Sequence, residues 1–412
     1  MDDSVLPSKL FKDLSHAADI VRGHEFIQIF SHYDADGISA AAILAKALIR
    51  AGKEFNVKLF TTLNDRSMEI VKSCKAECII LSDLGASYVE ELDKMSADVI
   101  VLDHHSAPGN AQRICYANPH LYGIDGMTSG CGATMAFLFA VRMDEKNWDL
   151  VQLAFAGIAG DRQHINGLFG LNTYLLSEGT RRKLVSVSEG SLIPYGDVAS
   201  SLLRSTDPYI RGVSGSPEGV AKLMADAGIK QGRHFKDLTD DEKRKLSSLM
   251  AVKLTKQNVC QQTLSEVART RYLLPDWEMD AEALAALLHA CGRLGLMGVG
   301  IGAGLGDRDC LRMARELETE SGRQIVDGTV ALDKKGLTQM EHIQWFDSSS
   351  SGFTGIICGI AMQFFGDPNK PTIGINMSED LAKISSRCWG SRRQRRRPQD
   401  SQRRFCGLRE KG

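Results

Sequence analysis

Short apolar runs alternate with helical patterns through the first 105 residues, and most of the runs stop on acids or histidines. EFIQIF (Glu25–Phe30) reads as a buried strand and leads through HYDAD into a helix along GISAAAILAKALIRAG. NVKLFTT, ECIILSDLG and ADVIVLDHH repeat the theme, with helices expected over roughly 66–73 and 86–95. Strands and helices alternating at this spacing imply a parallel sheet covered on both faces. Function in such sheets gathers at the carboxyl ends of the strands. Asp34, Asp36, Asp83, Asp103, His104 and His105 all fall there.

Two further helices are expected over 129–143 and 148–160. The stretch 186–275 is more polar, mostly helical and broken by segments such as VSGSPEG, so it reads as a linker or insertion. A second periodic region opens at Asp276. MDAEALAALLHACGRLG is a helix, MGVGIGAGLG a glycine-rich turn, and DCLRMARELETE another helix. SGFTGIICGIAMQFFG is apolar, and PTIGINM with LAKISSR reads as a strand pair. The fold class is therefore α/β: an N-terminal parallel-sheet domain over 1–185, the insertion, and a smaller C-terminal α/β domain over 276–387.

Apolar residues at 43% and charged residues at 25% exclude a disordered, collagenous or coiled-coil chain. No apolar run approaches the roughly 18 residues of a membrane span, and MDDSVLPSKLF has no apolar signal core. A soluble, cytoplasmic protein without membrane partners is expected, its ten scattered cysteines reduced. The net charge of −1 hides an asymmetry: residues 388–412 carry +7 and the body carries −8. An acidic body does not steer polyanions by bulk charge, so nucleic-acid affinity has to come from local sites. The arginine-rich end starts abruptly within an apparent strand pair. It reads as a frame that leaves its natural course after Arg387, the other readings being a solvated tail or a nucleic-acid arm.

Four segments offer metal donors: His32-Tyr33-Asp34-Ala35-Asp36-Gly37, Ser82-Asp83-Leu84-Gly85, Asp103-His104-His105 and Gly160-Asp161. A lone aspartate at a strand end is most often a helix cap. Four such segments in one domain make chance a poor account. Carboxylates mixed with imidazole suit Mn²⁺ or Mg²⁺ better than a thiolate-seeking ion. Crowded acids repel unless cations lie among them, and two divalent ions sharing a carboxylate form a site for in-line attack at phosphorus.

These segments, in this order, resemble the DHH phosphoesterase superfamily, most nearly the archaeal RecJ-like single-strand exonucleases, over about residues 20 to 387. HACGRLG (His289–Gly295) resembles the Asn-Ala-x-Gly-Arg segment of the family's C-terminal, DHHA1-like domain. The resemblance implies that His32 and Asp34 hold one manganese, that Asp36, His104 and Asp161 hold the other, and that Asp83 bridges them. It implies further that Asp103 orients His104, that His105 contacts the scissile phosphate or donates a proton, and that Gly292 and Arg293 bind substrate from the second domain. The family's glycine-rich Gly-Gly-Gly-His segment is missing, so the C-terminal domain reads as truncated. In that case the strands over 371–377 and 381–387 lack sheet neighbours.

The function implied is an Mn²⁺- or Mg²⁺-dependent exonuclease acting on single-stranded DNA or RNA, with replication or repair proteins as further partners. The alternatives are a phosphodiesterase for short oligonucleotides or cyclic dinucleotides, and a non-catalytic replication-complex subunit with a decayed metal site. A decayed member should have lost Asp36, Asp83, His104 or Asp161, and all four are present.

Overall fold

The computed structural model describes residues 6–106, 109, 111–188, 196–267, 269–348, 353–377 and 382–388. The arginine-rich end beyond Cys388 lies outside the described residues. The chain opens with α1 (Ser8–Arg22), β1 (Phe26–His32), α2 (Ala35–Arg50), β2 (Glu54–Phe60), α3 (Asp65–Lys72), β3 (Cys78–Ser82), α4 (Val89–Leu92), β4 (Asp98–Leu102) and β5 (Cys115–Ala117). Next come α5 (Gly126–Ser129), α6 (Gly132–Met143), α7 (Val151–Gly160), α8 (Gly170–Arg181) and β6 (Ser186–Ser188). The helix expected over 129–143 is thus interrupted by Gly130 and Cys131, and β5, three residues long, is an addition to the expected strands.

Strands β1 to β5 form one parallel sheet in the order β2-β1-β3-β4-β5. β3 is buried along its whole length, and β4 from Val99 to Leu102, as expected for strands covered on both faces. The chain reverses its strand order between β1 and β3, and the crevice at the carboxyl ends of those two strands is where such sheets place a site. α2 packs against the sheet, α6 and α7. Its run of alanines is buried on nearly every side, which lets the neighbours approach closely.

Four helices follow: α9 (Val198–Leu203), α10 (Pro217–Asp226), α11 (Asp240–Lys256) and α12 (Gln261–Val267). Beyond them lie β7 (Arg271–Leu274), β8 (Met279–Asp280), α13 (Ala281–Arg293), α14 (Met297–Gly304), α15 (Arg308–Lys335), β9 (Thr338–Gln339), β10 (Gln344–Asp347), α16 (Thr354–Phe364), β11 (Thr372–Met377) and β12 (Ala382–Arg387). Two compact units result, one of residues 1–190 with 270–319, the other of 191–269 with 320–412.

This division differs from the boundaries expected at 186, 276 and 387. Residues 270–319 pack with the first unit because Leu284, Leu288 and Cys291 of α13 and Ala303 of α14 enter its main core. The insertion helices belong with the C-terminal strands, since Val198, Leu223 and Leu254 share a core with Phe346, Ile357 and Phe364. Of the glycine-rich turn expected over 297–306, residues 297–304 are the helix α14 and Gly306 alone keeps a left-handed turn conformation, with φ 89°. A β-carbon on Gly304 would lie 2.6 Å from Ala42 Cβ, so glycine serves close helix packing there rather than a turn.

The C-terminal strands are also better partnered than expected. They form a four-stranded sheet in the order β12-β11-β10-β9, and β11 has neighbours on both sides. A C-terminal α/β unit is present.

Candidate metal centre

Each strand-end donor is held by its own local device. His32 closes β1, and Asp34 caps α2 by accepting from Gly37 N at 3.1 Å. A β-carbon on Gly37 would fall 2.3 Å from the His32 carbonyl oxygen, so the turn that carries both donors requires glycine. Asp36 is buried against the start of α6. Its Oδ2 accepts from Gly132 N at 2.7 Å and its Oδ1 from Ala133 N at 2.8 Å, a carboxylate seated on a helix N-terminus. Asp83 follows β3 in a left-handed conformation with φ 55°. Such strain in a residue other than glycine persists where surroundings enforce it, commonly at functional sites.

The histidines are held just as firmly. The Asp103 carboxylate accepts from the amides of Ala86 (2.8 Å), His104 (2.7 Å) and His105 (3.3 Å), and from His105 Nδ1 at 2.8 Å. His104 Nδ1 donates to the Gly126 carbonyl at 2.8 Å. Its other nitrogen, Nε2, therefore points at carboxylates: Asp83 Oδ1 at 3.2 Å, Asp161 Oδ2 at 3.3 Å and Asp36 Oδ2 at 3.7 Å. Across the crevice, His32 Nδ1 lies 3.0 Å from Asp34 Oδ2 and 3.5 Å from Asp83 Oδ2.

Donor atoms within 4.8 Å of one another thus form three overlapping groups: His32, Asp34 and Asp83; Asp36, His104 and Asp161; and Asp83, Asp103, His104 and His105. The structure brings together all six residues expected as ligands, with Asp83 common to the first and third groups. Asp83 Oδ2 and His104 Nε2 are buried without a hydrogen-bond partner among the described residues. A buried imidazole nitrogen facing three carboxylate oxygens is a donor set that fits a divalent cation.

The electrostatics agree. Burial, then Asp83 and Asp161, push Asp36 well above the usual carboxylate range. Against burial, Asp161, Asp83 and Asp36 hold His104 well above the ordinary imidazole value, and Asp34 and Asp83 do the same for His32. Without cations, protons take the places among the acids. Asp34 and Asp103 are held low against their burial by His32 and His105 respectively.

Two expected substrate residues sit differently from the expectation. Gly292 and Arg293 end α13 in the same unit as the acidic cluster, not in the other one. A β-carbon on Gly292 would fall 1.8 Å from the Tyr33 carbonyl oxygen, so Gly292 lets α13 lie on the loop that bears Asp34. Arg293 is exposed and interacts electrostatically with Tyr33 and Asp34. His289, one turn earlier, went unnoticed among the site residues. Burial and Arg293 push it down to about 3 against the pull of Asp34. The only sequence signal was its place at the head of HACGRLG.

Residues 26–158 match the DHH family, N-terminal domain. An uncharacterised protein of Methanocaldococcus jannaschii is 30% identical over 381 residues, covering 89% of this chain and 82% of that one. The chain belongs to the DHH family. The single-stranded-DNA-specific exonuclease RecJ of Thermus thermophilus is 26% identical over 66% of this chain and 41% of its own length. A crystal structure of exonuclease RecJ bound to manganese shares the fold with TM-score 0.55 at 16% identity, covering 92% of this DHH chain and 82% of that one. The CDC45 structure from Entamoeba histolytica gives 0.63 at 13% identity over 92% and 88%. Family membership and the RecJ likeness support a hydrolase. Among the described residues no helix is long and apolar enough to cross a membrane.

Proposed function

We propose that this chain is a divalent-metal-dependent phosphodiesterase that removes nucleotides from an end of single-stranded DNA or RNA. The observation that carries the reading is the aim of His104 Nε2 at Asp83, Asp161 and Asp36, with His32 and Asp34 on the far side of Asp83. His32 and Asp34 would hold one Mn²⁺ or Mg²⁺, Asp36, His104 and Asp161 the other, and Asp83 both. When bound, such a pair of ions acidifies water and neutralises charge on phosphoryl oxygens.

The chain's own groups do the rest. Gly132 and Ala133 keep the Asp36 carboxylate in one orientation, which saves reorganisation during the reaction. His105 donates from Nδ1 to Asp103, whose charge helps hold the ring's proton affinity above the ordinary value; in its protonated form, 40% exposed, it offers Nε2–H as proton donor to the departing oxygen. The Arg293 guanidinium grips a substrate phosphate through its fork of donors.

The likeness to CDC45 favours a second reading, an interaction protein without catalysis. Against it stands a donor set in which all six expected ligands come together, with Asp34, Asp36 and His104 each held by hydrogen bonds of its own. Single-stranded DNA and RNA, labelled in turn at either end and incubated with Mn²⁺, test the proposal. Release of short products from one end is expected, with no reaction in EDTA. Intact substrate under every metal condition would leave the interaction protein.

A further inference from the structure

The buried polar groups behind His104 form a continuous chain that the hydrolytic reading leaves unused. The Thr134 hydroxyl, in the first turn of α6, donates to Asn172 Oδ1 at 2.8 Å. Asn172 Nδ2, on α8, donates to Gln163 Oε1 at 2.8 Å. Gln163 Nε2 donates to the Gly126 carbonyl at 2.9 Å, the same oxygen that accepts from His104 Nδ1. Thr134 and Asn172 are fully buried and Gln163 is 5% exposed.

The direction of this chain is fixed. The Gly126 carbonyl can only accept, and it fixes both amides: Asn172 presents its nitrogen to Gln163 and its oxygen to the Thr134 hydroxyl, which donates. Gln163 then presents its oxygen to Asn172 and its nitrogen to Gly126. Reversing either amide would set oxygen against oxygen, and a buried unpaired polar group is costly. Two donors therefore pin the Gly126 carbonyl. That carbonyl in turn keeps the proton on His104 Nδ1 and leaves Nε2 for the acids. A β-carbon on Gly126 would fall 2.3 Å from the His104 carbonyl oxygen, so this approach also depends on glycine.

We infer that Thr134, Asn172 and Gln163 are positioning residues that set the tautomer and aim of His104 toward the ion it would share with Asp36 and Asp161. The inference rests on the two-ion reading above. It adds that one helix start serves both ligands: Gly132 and Ala133 hold Asp36 through their amides, and Thr134, next in sequence, begins the chain that ends on His104. A group that orients an imidazole ligand through its second nitrogen is worth about 10- to 100-fold in metal affinity.

The test is a Mn²⁺ titration of the full chain, free ion followed by electron paramagnetic resonance, alongside melting without metal. Asn172→Asp changes one atom type, touches no ligand and, titrated at a pH where the new carboxyl is ionised, cannot donate to Gln163. Gln163 must then turn its nitrogen toward residue 172 and its oxygen toward Gly126. Asn172→Asp and Gln163→Met should each weaken one of two Mn²⁺ ions by about 10-fold or more and spare the other. Thr134→Ser should bind like the natural chain, and Thr134→Val should fall between. Unchanged Mn²⁺ affinities in Asn172→Asp and Gln163→Met, whatever their melting temperatures, would reduce the chain to a packing feature. Should those two fail to fold, the Thr134→Ser and Thr134→Val pair decides by the same comparison, equal affinities overturning the inference. A natural chain that binds no Mn²⁺ would overturn the two-ion reading itself.

Discussion

At the scale of single residues, Asp83 carries the largest share of the proposed chemistry, and its backbone makes a clean test possible. Asparagine tolerates the left-handed region that Asp83 occupies, so Asp83→Asn removes the shared charge without adding strain. We expect turnover to fall by several orders of magnitude with Mn²⁺ present, since charge stabilisation is usually the largest catalytic contribution. The metal-free melting temperature should hold, because lost attraction to His104 and lost repulsion with Asp36 oppose each other. Near-normal activity in this variant would remove Asp83 from the mechanism. The histidines give a second expectation. His32, His104 and His105 are raised in the folded chain. Their contribution to metal-free stability is therefore complete below the unfolded histidine value of about 6.5 and lost as pH rises through their folded values. His289, pushed down to about 3, works the other way and costs stability as pH falls below the unfolded value. Melting in EDTA should thus decline on the alkaline side of neutrality, whereas melting in Mn²⁺ should not, because the metal replaces the protons. Parallel curves with and without Mn²⁺ would contradict this. The strand-end donors were legible because each interrupts an apolar run with a group that has no place in a core. Gln163 and Asn172 were not, because an amide in a helical or turn context carries no sign of its partner until the fold brings the two together.

At the scale of elements, α14 shows what sequence pattern cannot separate. Glycine serves two purposes, left-handed turns and close packing, and MGVGIGAGLG looks the same for both. The structure uses both: Gly300 would meet Ile38 and Cys291 at 3.1–3.3 Å and Gly304 would meet Ala42 at 2.6 Å, Gly306 takes a left-handed φ of 89° in the turn after the helix, and Gly298 has nothing within 4 Å. Gly298→Ala should therefore stabilise the chain by about 0.5–1 kcal/mol, the usual difference between the two residues in a helix. Gly304→Ala should cost about 1–3 kcal/mol by overpacking α2. Urea unfolding of both variants checks the pair, and equal shifts of the same sign would show that α14 does not pack as described. β5 escaped notice for a simpler reason. Three residues are too few to show a period, and the strand exists because β4 offers it an edge.

At the scale of the whole molecule, the parallel sheet was legible and the grouping of the later elements was not. The apolar face of α13 announces that the helix packs, but nothing in its periodicity names the core that receives it. Leu284 and Leu288 could have joined either unit, and long-range packing decided for the first. Charge is likewise a property of the whole chain, and it sets the last expectation. Residues 1–387 carry −8 and residues 388–412 carry +7, with eight arginines among the latter. An acidic body holds a nucleic-acid strand only through local groups, so the arginine-rich end should dominate nonspecific binding. Every phosphate neutralised by arginine releases counterions, and affinity then falls steeply with salt. Deleting Cys388–Gly412 should accordingly flatten the salt dependence of single-strand binding, while the Mn²⁺ affinity stays unchanged because all six expected ligands lie at or before Asp161. Salt titrations of strand binding for the full and shortened chains, run beside Mn²⁺ titrations of both, provide the measurement. Identical salt slopes would show that the arginines take no part in binding. Loss of Mn²⁺ affinity on truncation would show instead that the acidic cluster depends on support from beyond its own unit.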